Sequence, residues 1–570
     1  MVSRRTALRA GAVAGLVPAV GLIGRPATAV PTPADEPTRT PAEQPAQVRP
    51  QDPDIGSGTG RDDGPWRDLP DRQWAELQRR LSAQATLYRR GAASYQALSI
   101  PFNHRYANVQ PAAILAAGTP DDVAAAVSWA RDVGMPLVPR SSLGHNYAGY
   151  STTHGLLVVM SRLRGSTVAP APVSRPPQRY GPVEVTPDAG LLTVAAGVVN
   201  ADLRPLLRRQ GIVVPAGRCP TVGVAGLVLG GGIGFNDKMF GLTCDRLTAT
   251  EVVLADGTTT GCDETTDPDL FWACRGGAGN NFGVNTSFTF RYARLRGEVT
   301  YFQLRWGADS VMPALSAMQQ VAAAQQADRR FDCRIGAGTT VGEGGQHQVY
   351  ADALGQFYGY ADELVGVLGP ALAVGTRAER QANRDSIRQV TPAEAAQLLS
   401  STTPAQQFAV KSAVLRSPLD EAQLQTVAAG LRRWPGSRNP DGAGVALFCM
   451  GGQINDVPPD ATAFVHRDAL FVLAAEASWA DDDPPEVGLA NGTWLTGLYD
   501  ELLGGRPPVG AYQNFPDPHL ADWRRAYYGD NYQRLVEVKR KYDPTDFFTY
   551  PQGIGSCGSV DGYANRWCPR

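Results

Sequence analysis

Six of the twelve residues from Gly223 to Gly234 are glycine, in the run GVAGLVLGGGIG. A glycine inside a helix or strand costs about 0.5–1 kcal/mol relative to alanine, so no regular element accepts this density for its own sake. It is tolerable where the main chain must pass close to something flat or bulky, or else in packed loops. The wider segment, Gly217 to Asp245, reads GRCPTVGVAGLVLGGGIGFNDKMFGLTCD. Its triple glycine, Gly230 to Gly232, is not a dinucleotide fingerprint. The one G-x-G-x-x-G match, Gly553 to Gly558, lies too near the C-terminus for a βαβ unit to follow, and no G-x-x-x-x-G-K-[ST] loop occurs. A nicotinamide-binding Rossmann domain and a P-loop hydrolase are both unsupported.

The 570 residues exceed the usual span of one hydrophobic core, so two packed lobes are expected once an N-terminal extension is set aside. Lysine and arginine total 53 against 55 acidic residues, which leaves no bulk charge to draw the protein to nucleic acid or an anionic membrane. Specificity must lie in a site. The N-terminus opens with Ser3-Arg4-Arg5-Thr6-Ala7-Leu8, runs apolar to Gly24 and offers Ala27-Thr28-Ala29 for cleavage. Residues 1–29 therefore resemble a twin-arginine signal, which implies the twin-arginine export machinery as a partner and a secreted or extracytoplasmic destination. Arg9 and Pro18 interrupt the apolar run, so a removable signal is expected rather than a stable membrane anchor. Such export carries folded proteins, often closed around a cofactor. Residues 30–65, dominated by Pro, Thr, Ala and acidic side chains, read as a disordered linker.

From Ala112 to Leu163 the pattern is strand, helix, loop, strand. Thr119 is placed to cap the helix, Pro120 fits its first position, Gly134 can end it, and Val123, Ala126, Val127 and Ala130 share one apolar face. A strand pair is expected over Val183 to Val198, then a helix capped by Asn200 and ended by Gly211, then strands at Val252–Gly257 and Ser287–Leu295. Residues 66–295 thus form an α+β cofactor domain. From 296 to 508, strands at Val299–Trp306 and Leu470–Trp479 alternate with helices at Ser310–Ala327 and Pro392–Leu399, as in an antiparallel sheet carrying helices. The aromatic segment 509–570 should return to the first domain, with Trp523, Tyr527, Tyr528 and Tyr532 as helix-packing core.

Two loops concentrate the chemistry. Arg140 to Ser151, RSSLGHNYAGYS, offers backbone N–H groups and hydroxyls suited to a diphosphate, with His145 inside it; the plainer reading is a turn with a solvated histidine. The glycine-rich segment holds Cys219, whose plainer reading is an inert buried thiol or half a disulfide. Together with DLFWACRGGAGNNFGV at Asp269–Val284 and AYQNFPD at Ala511–Asp517, these loops give the chain its likeness. Over Asn103 to Ile554 it resembles the berberine bridge enzyme-like FAD-linked oxidases of the vanillyl-alcohol oxidase superfamily. The resemblance implies a two-lobed PCMH-type FAD-binding fold with an antiparallel-sheet substrate domain and a returning C-terminal segment. It also implies FAD bonded through its 8α-methyl to His145 and through ring carbon C6 to Cys219. Arg140, Ser141, Ser142, Leu143, Gly144 and Asn146 would wrap the diphosphate. Val222, Gly223, Gly226, Gly232, Gly234 and Val284 would border the cofactor, and Tyr512 and Asn514 would close over the ring.

Two departures stand out. The group reads R-S-G-G-H, whereas Arg140 to His145 takes one residue more and includes Leu143. The glycine-glycine-histidine that plant members carry after the cysteine loop is Ala225-Gly226-Leu227 here. With Cys219 bonded to flavin, seven of eight cysteines would remain, an odd number; Cys557 and Cys568 could close a small loop. No C-x-x-C pair occurs and the six histidines are scattered, so no metal is expected. The implied reaction is hydride transfer from an alcohol or carbohydrate substrate to the flavin, followed by O2 reduction to hydrogen peroxide. Tyr512 is the preferred base, with an aromatic wall as its alternative. Glu476 is the second candidate, with a paired surface glutamate as its alternative. Val222 stands where a small residue accompanies oxygen access, which favours an oxidase. A dehydrogenase using another acceptor and a non-catalytic flavin-binding surface protein are the competing functions.

Overall fold

The computed structural model describes residues 66, 68–171, 175–341, 346–402 and 404–556, with a two-residue strand at Arg25–Pro26. The expected export signal (apart from that strand), the linker and the Cys557–Cys568 loop lie outside the described residues. No helix among the described residues is long and apolar enough to cross a membrane.

A four-stranded sheet orders Thr86–Arg89, Ala113–Ala116, Leu156–Val159 and Leu137–Arg140, the last three mutually parallel. Against it lies the helix Pro120–Asp132. Thr119 accepts from the Asp122 N–H while the Asp122 carboxylate accepts from the Thr119 N–H, a reciprocal cap that satisfies two otherwise orphaned donors. Val123, Ala126, Val127 and Ala130 are all buried, as their spacing predicts.

A second, antiparallel sheet runs Thr259–Asp263, Leu247–Val253, Val284–Gly297, Val183–Ala195, Ser166–Pro170. The expected strand pair over 183–198 is one 13-residue strand. Its in–out alternation slips one place at Thr186–Pro187, and its register with Val284–Gly297 shifts between Tyr292 and Arg294. A slip of that kind mimics a turn in the sequence.

The third sheet has seven antiparallel strands in the order Arg388–Val390, Val299–Gly307, His347–Phe357, Phe331–Val341, Ala443–Cys449, Phe471–Trp479, Gln407–Leu415. One face packs Phe302, Phe331, Ile335, Ala353, Leu447 and Leu473 into a core with the helices Val311–Ala324, Glu421–Arg432 and Pro485–Leu502. The opposite face carries Asp332, Arg334, Asp352, Gln356, Ser412 and Glu476, all buried. That face meets the glycine-rich loop: Asp332 accepts from the Asp237 and Lys238 N–H groups, and Gln356 donates to the Phe235 carbonyl.

The C-terminal helices Trp523–Tyr528 and Tyr532–Tyr542 share one hydrophobic core with the first two sheets. Lys539 is fully buried, donating to the Asn281 and Phe548 carbonyls and pairing with Asp543 at 2.6 Å. Removing one partner of a buried pair strands the other charge, at a cost of about 3–5 kcal/mol. Lys539→Met should therefore lower unfolding free energy by that amount in guanidinium titrations, whereas an unchanged midpoint would show that Asp543 is held otherwise.

Candidate cofactor and substrate site

The strand Leu137–Arg140 delivers the first loop, and Arg140 decides the loop's shape. Its guanidinium donates to the carbonyls of Leu98, Ser99, Ile100 and Ser151 at 2.8–3.4 Å. Burial pulls its pKa down to about 9. Arg140 also lines a cavity together with His145, and its guanidinium is held in place there by backbone acceptors. Ser141 donates to the Ala196 carbonyl at 2.6 Å, and Asn146 accepts from the N–H groups of Ala148 and Tyr150. These bonds satisfy main-chain groups that the irregular loop would otherwise bury unpaired.

The second loop is anchored from the helix Asn200–Gln210. Asn200 does not cap it: Val199 stands at the N-cap position with its N–H on the Asp202 carboxylate, and the Asn200 amide donates to the carbonyls of Gly217 and Cys219, both at 2.9 Å. That arrangement leaves one side of the Cys219 loop open. His145 and Cys219, 74 positions apart, line one cavity with Ser141, Ser142, Gly144, Asn146, Val222, Gly223, Gly226, Val284, Glu476, Tyr512 and Asn514. Leu143 does not line it: its side chain is 48 % exposed, so the additional loop residue projects outward. Gly232 and Gly234 also stand off the cavity.

The glycines divide by what a Cβ would meet. At Gly226 it would meet nothing within 4 Å, so this position faces open cavity. At Gly230 it would strike Asn514 at 2.2 Å, and at Gly232, where φ is +91°, it would strike Thr243 at 2.3 Å. Those two serve the approach of the protein's own segments, Asn514 from the returning tail among them.

His145 stacks on Phe102, ring centroids 3.5 Å apart at 24°, and its Nε2 lies 2.8 Å from Thr221 Oγ1. Burial pushes its pKa down to about 3, so the ring is neutral at physiological pH. Burial raises the Cys219 thiol, and the Arg218 and Arg204 guanidinium groups oppose that rise. The Tyr512 phenol oxygen accepts from the Gly232 N–H at 2.9 Å and from the Asn514 amide at 3.0 Å. Burial drives the phenol above its ordinary range, and these two donors pull it back. Glu476 is 2 % exposed and lines the cavity, which removes the surface reading of that residue.

Sequence reasoning missed the aromatic wall of Phe102, Tyr147, Phe408, Phe448 and Phe515. Tyr147 and Phe515 lie within the two motifs at Arg140–Ser151 and Ala511–Asp517, whereas Phe102, Phe408 and Phe448 come from remote positions that carry no motif. It also missed Asn280, whose amide nitrogen and oxygen are both buried without a partner on the cavity wall, as are Tyr150 Oη, Gln513 Oε1 and Gln552 Oε1. Buried polar atoms need partners, and a large cofactor bearing ribityl, diphosphate and ring acceptors and donors would supply them. The residues present fit FAD.

The family described as "FAD binding domain" matches residues 111–263, and that described as "Berberine and berberine like" matches residues 511–555. The uncharacterized FAD-linked oxidoreductase YgaK of Bacillus subtilis is 31% identical over 444 residues, 76% of this chain and 88% of that protein. The xylooligosaccharide oxidase of Thermothelomyces thermophilus is 29% identical over 502 residues, covering 83% and 93%. A solved xylooligosaccharide oxidase from Myceliophthora thermophila C1, in complex with xylobiose, superposes with a TM-score of 0.68 at 26% identity, over 85% of this chain and 98% of that one. Fold and cavity together define a FAD-binding oxidoreductase with the two-lobed PCMH-type architecture. The chain belongs to the berberine bridge enzyme-like family of FAD-linked oxidoreductases.

His466, 5 % exposed, sits edge-on to Phe464 beside the tail that carries Tyr512, and burial lowers its pKa to about 4. A free histidine titrates near 6.5. Below that pH the unfolded chain takes up a proton here that the folded protein refuses, so stability present above about pH 6.5 is lost on acidification toward pH 4. The slope is about 1.4 kcal/mol per pH unit. Unfolding titrations at pH 7 and pH 5 should show His466→Gln losing about 2 kcal/mol less than the parent over that interval; equal losses would mean the histidine is charged when folded.

Proposed function

We propose that the protein is a secreted oxidase that takes hydride from an alcohol carbon of a sugar or glycosylated natural product. In this reading FAD is bonded to His145 and Cys219, and O2 is the final acceptor, giving hydrogen peroxide. The observation that carries the reading is the convergence of His145, Cys219 and Tyr512 on one cavity, with two N–H donors aimed at the Tyr512 oxygen. The secreted character rests on the twin-arginine-like N-terminus, and the sugar class on the oligosaccharide oxidase among the relatives.

Bound FAD supplies the two-electron acceptor and, through O2, the route by which it is renewed. The protein supplies the proton chemistry and the positioning. Tyr512 is assigned as the base that takes the substrate hydroxyl proton. To act so, the phenol must first be ionised; donors from Gly232 and Asn514 stabilise that tyrosinate against the burial that disfavours it, leaving its remaining lone-pair direction for the substrate hydroxyl. Glu476, across the cavity on the strand Phe471–Trp479, is assigned to hold a neighbouring hydroxyl or to share the base role. Asn280, Gln513 and Gln552 are assigned to cofactor polar groups, and the aromatic wall to the apolar faces of the substrate. Val222 on the cavity wall keeps a small side chain beside Cys219.

Anaerobic mixing of the purified flavoprotein with a panel of sugars and glycosides tests the reaction: an oxidisable substrate should bleach the flavin, and air should restore it with one peroxide per turnover. Reoxidation far slower in air than with an artificial acceptor would select a dehydrogenase, and no bleaching by any alcohol would select a binding protein. Tyr512→Phe should slow bleaching by about 10²- to 10⁴-fold, the usual worth of a positioned base, while the flavin stays attached. An unaltered rate in that variant removes Tyr512 as base. Denatured parent protein should keep its yellow colour, Cys219→Ala should keep it through His145 alone, and free FAD released from the parent overturns the covalent reading.

A further inference from the structure

Resting on the covalent reading above, we propose that Thr221 is the positioning residue that makes His145 competent to bond the flavin. The two attachment residues sit on different loops, and one side chain joins those loops at the histidine ring: Thr221, two residues past Cys219, places Oγ1 2.8 Å from His145 Nε2. Its own loop is fixed from outside by the Asn200 amide on the Gly217 and Cys219 carbonyls and by the Asn200 N–H on the Val222 carbonyl at 3.0 Å. The facing loop is fixed by the Phe102 N–H on the Leu143 carbonyl at 2.8 Å. Phe102 covers one face of the imidazole, so the ring is clamped between a stacked phenyl and a hydroxyl.

That clamp distinguishes the two ring nitrogens. Nε2 is engaged, whereas Nδ1 has no hydrogen-bond partner among the described residues while the ring lines the cavity. With Thr221 Oγ1 accepting from Nε2–H, the lone pair resides on Nδ1, the tautomer that can act as nucleophile. Bond formation breaks one C–H of the 8α-methyl group and makes the Nδ1–C bond. The imidazole becomes cationic as the bond forms, then neutral again on losing its Nε2 proton. Two electrons and two protons are thereby left on the cofactor, and dioxygen removes them as hydrogen peroxide. The cationic stage is costly in a cavity where burial already keeps His145 neutral. A hydroxyl accepting from Nε2–H stabilises that charge and holds the departing proton. The one-residue expansion between Arg140 and His145 gives the role further sense. Leu143 points outward, so the longer loop needs a fixed point at the ring, and Thr221 provides it.

The test is the time course of flavin attachment in protein produced under riboflavin starvation and then given FAD, read by mass mapping of flavopeptides after denaturation. Thr221→Val keeps the shape and removes the hydroxyl. It should slow bonding at His145 about ten- to a hundredfold, the scale of one hydrogen bond to a group that becomes charged. Bonding at Cys219 should proceed at the parental rate and so serves as the internal measure of an intact cavity. Thr221→Ser should restore His145 bonding. Parental His145 bonding in the valine variant overturns the proposal, and so does an equal slowing at both residues, which would mean that Thr221 acts on the whole site. If the parent itself never bonds at His145, the covalent reading fails, and that failure is recognised in the parent before any variant is compared.

Discussion

Two irregular loops have to stay open on one side while every main-chain group on their other side is satisfied, and the rest of the site depends on how that is done. Arg140 takes four backbone carbonyls and Asn200 takes two. Water cannot reach these buried groups, so without the two side chains the loops would collapse onto one another to find partners. A single guanidinium and a single amide therefore keep the cavity as a cavity. Asn200 lies behind the surface that a ligand would touch, whereas Arg140 is itself part of the cavity wall.

The seven-stranded sheet supplies the opposite wall by the same economy of means. Strand alternation sends Phe331, Ile335, Leu447 and Leu473 to the helix-covered face and Arg334, Asp352 and Glu476 to the face that meets the glycine-rich loop. One face builds the hydrophobic core, the other carries charge into the molecule's interior, and each strand contributes to both. The returning tail then closes the site. The Tyr512 oxygen accepts from the Gly232 N–H, and glycine at 230 and 231 makes room beside it for Asn514 and for the Phe464 ring.

The glycine run signals close approach to a bulky partner, and the structure shows two kinds of approach mixed in it. Gly226 faces open cavity, while Gly230, Gly232 and Gly234 admit Asn514, Thr243 and the Ala216 carbonyl. Sequence cannot separate these, because a missing side chain looks the same whichever neighbour requires its absence. Asn200 misled in a related way. Its place at a helix start predicts a cap, yet its amide turns to a loop 17 and 19 residues away. The continuous strand Val183–Ala195 reads as two in the sequence because a slipped alternation at Pro187 and a turn leave similar marks.

The sequence by itself determined the helix Pro120–Asp132 with its cap, the antiparallel character of the second lobe, and the two loops that hold His145 and Cys219. All of these depend on neighbours close along the chain or on a local periodicity. Only the tertiary structure decided that His145, Cys219, Glu476 and Tyr512 share one cavity, that an aromatic wall from five positions lines it, and that Thr221 meets the histidine. Those contacts join segments up to several hundred residues apart, and no local propensity encodes a distance that exists only after the chain has closed on itself.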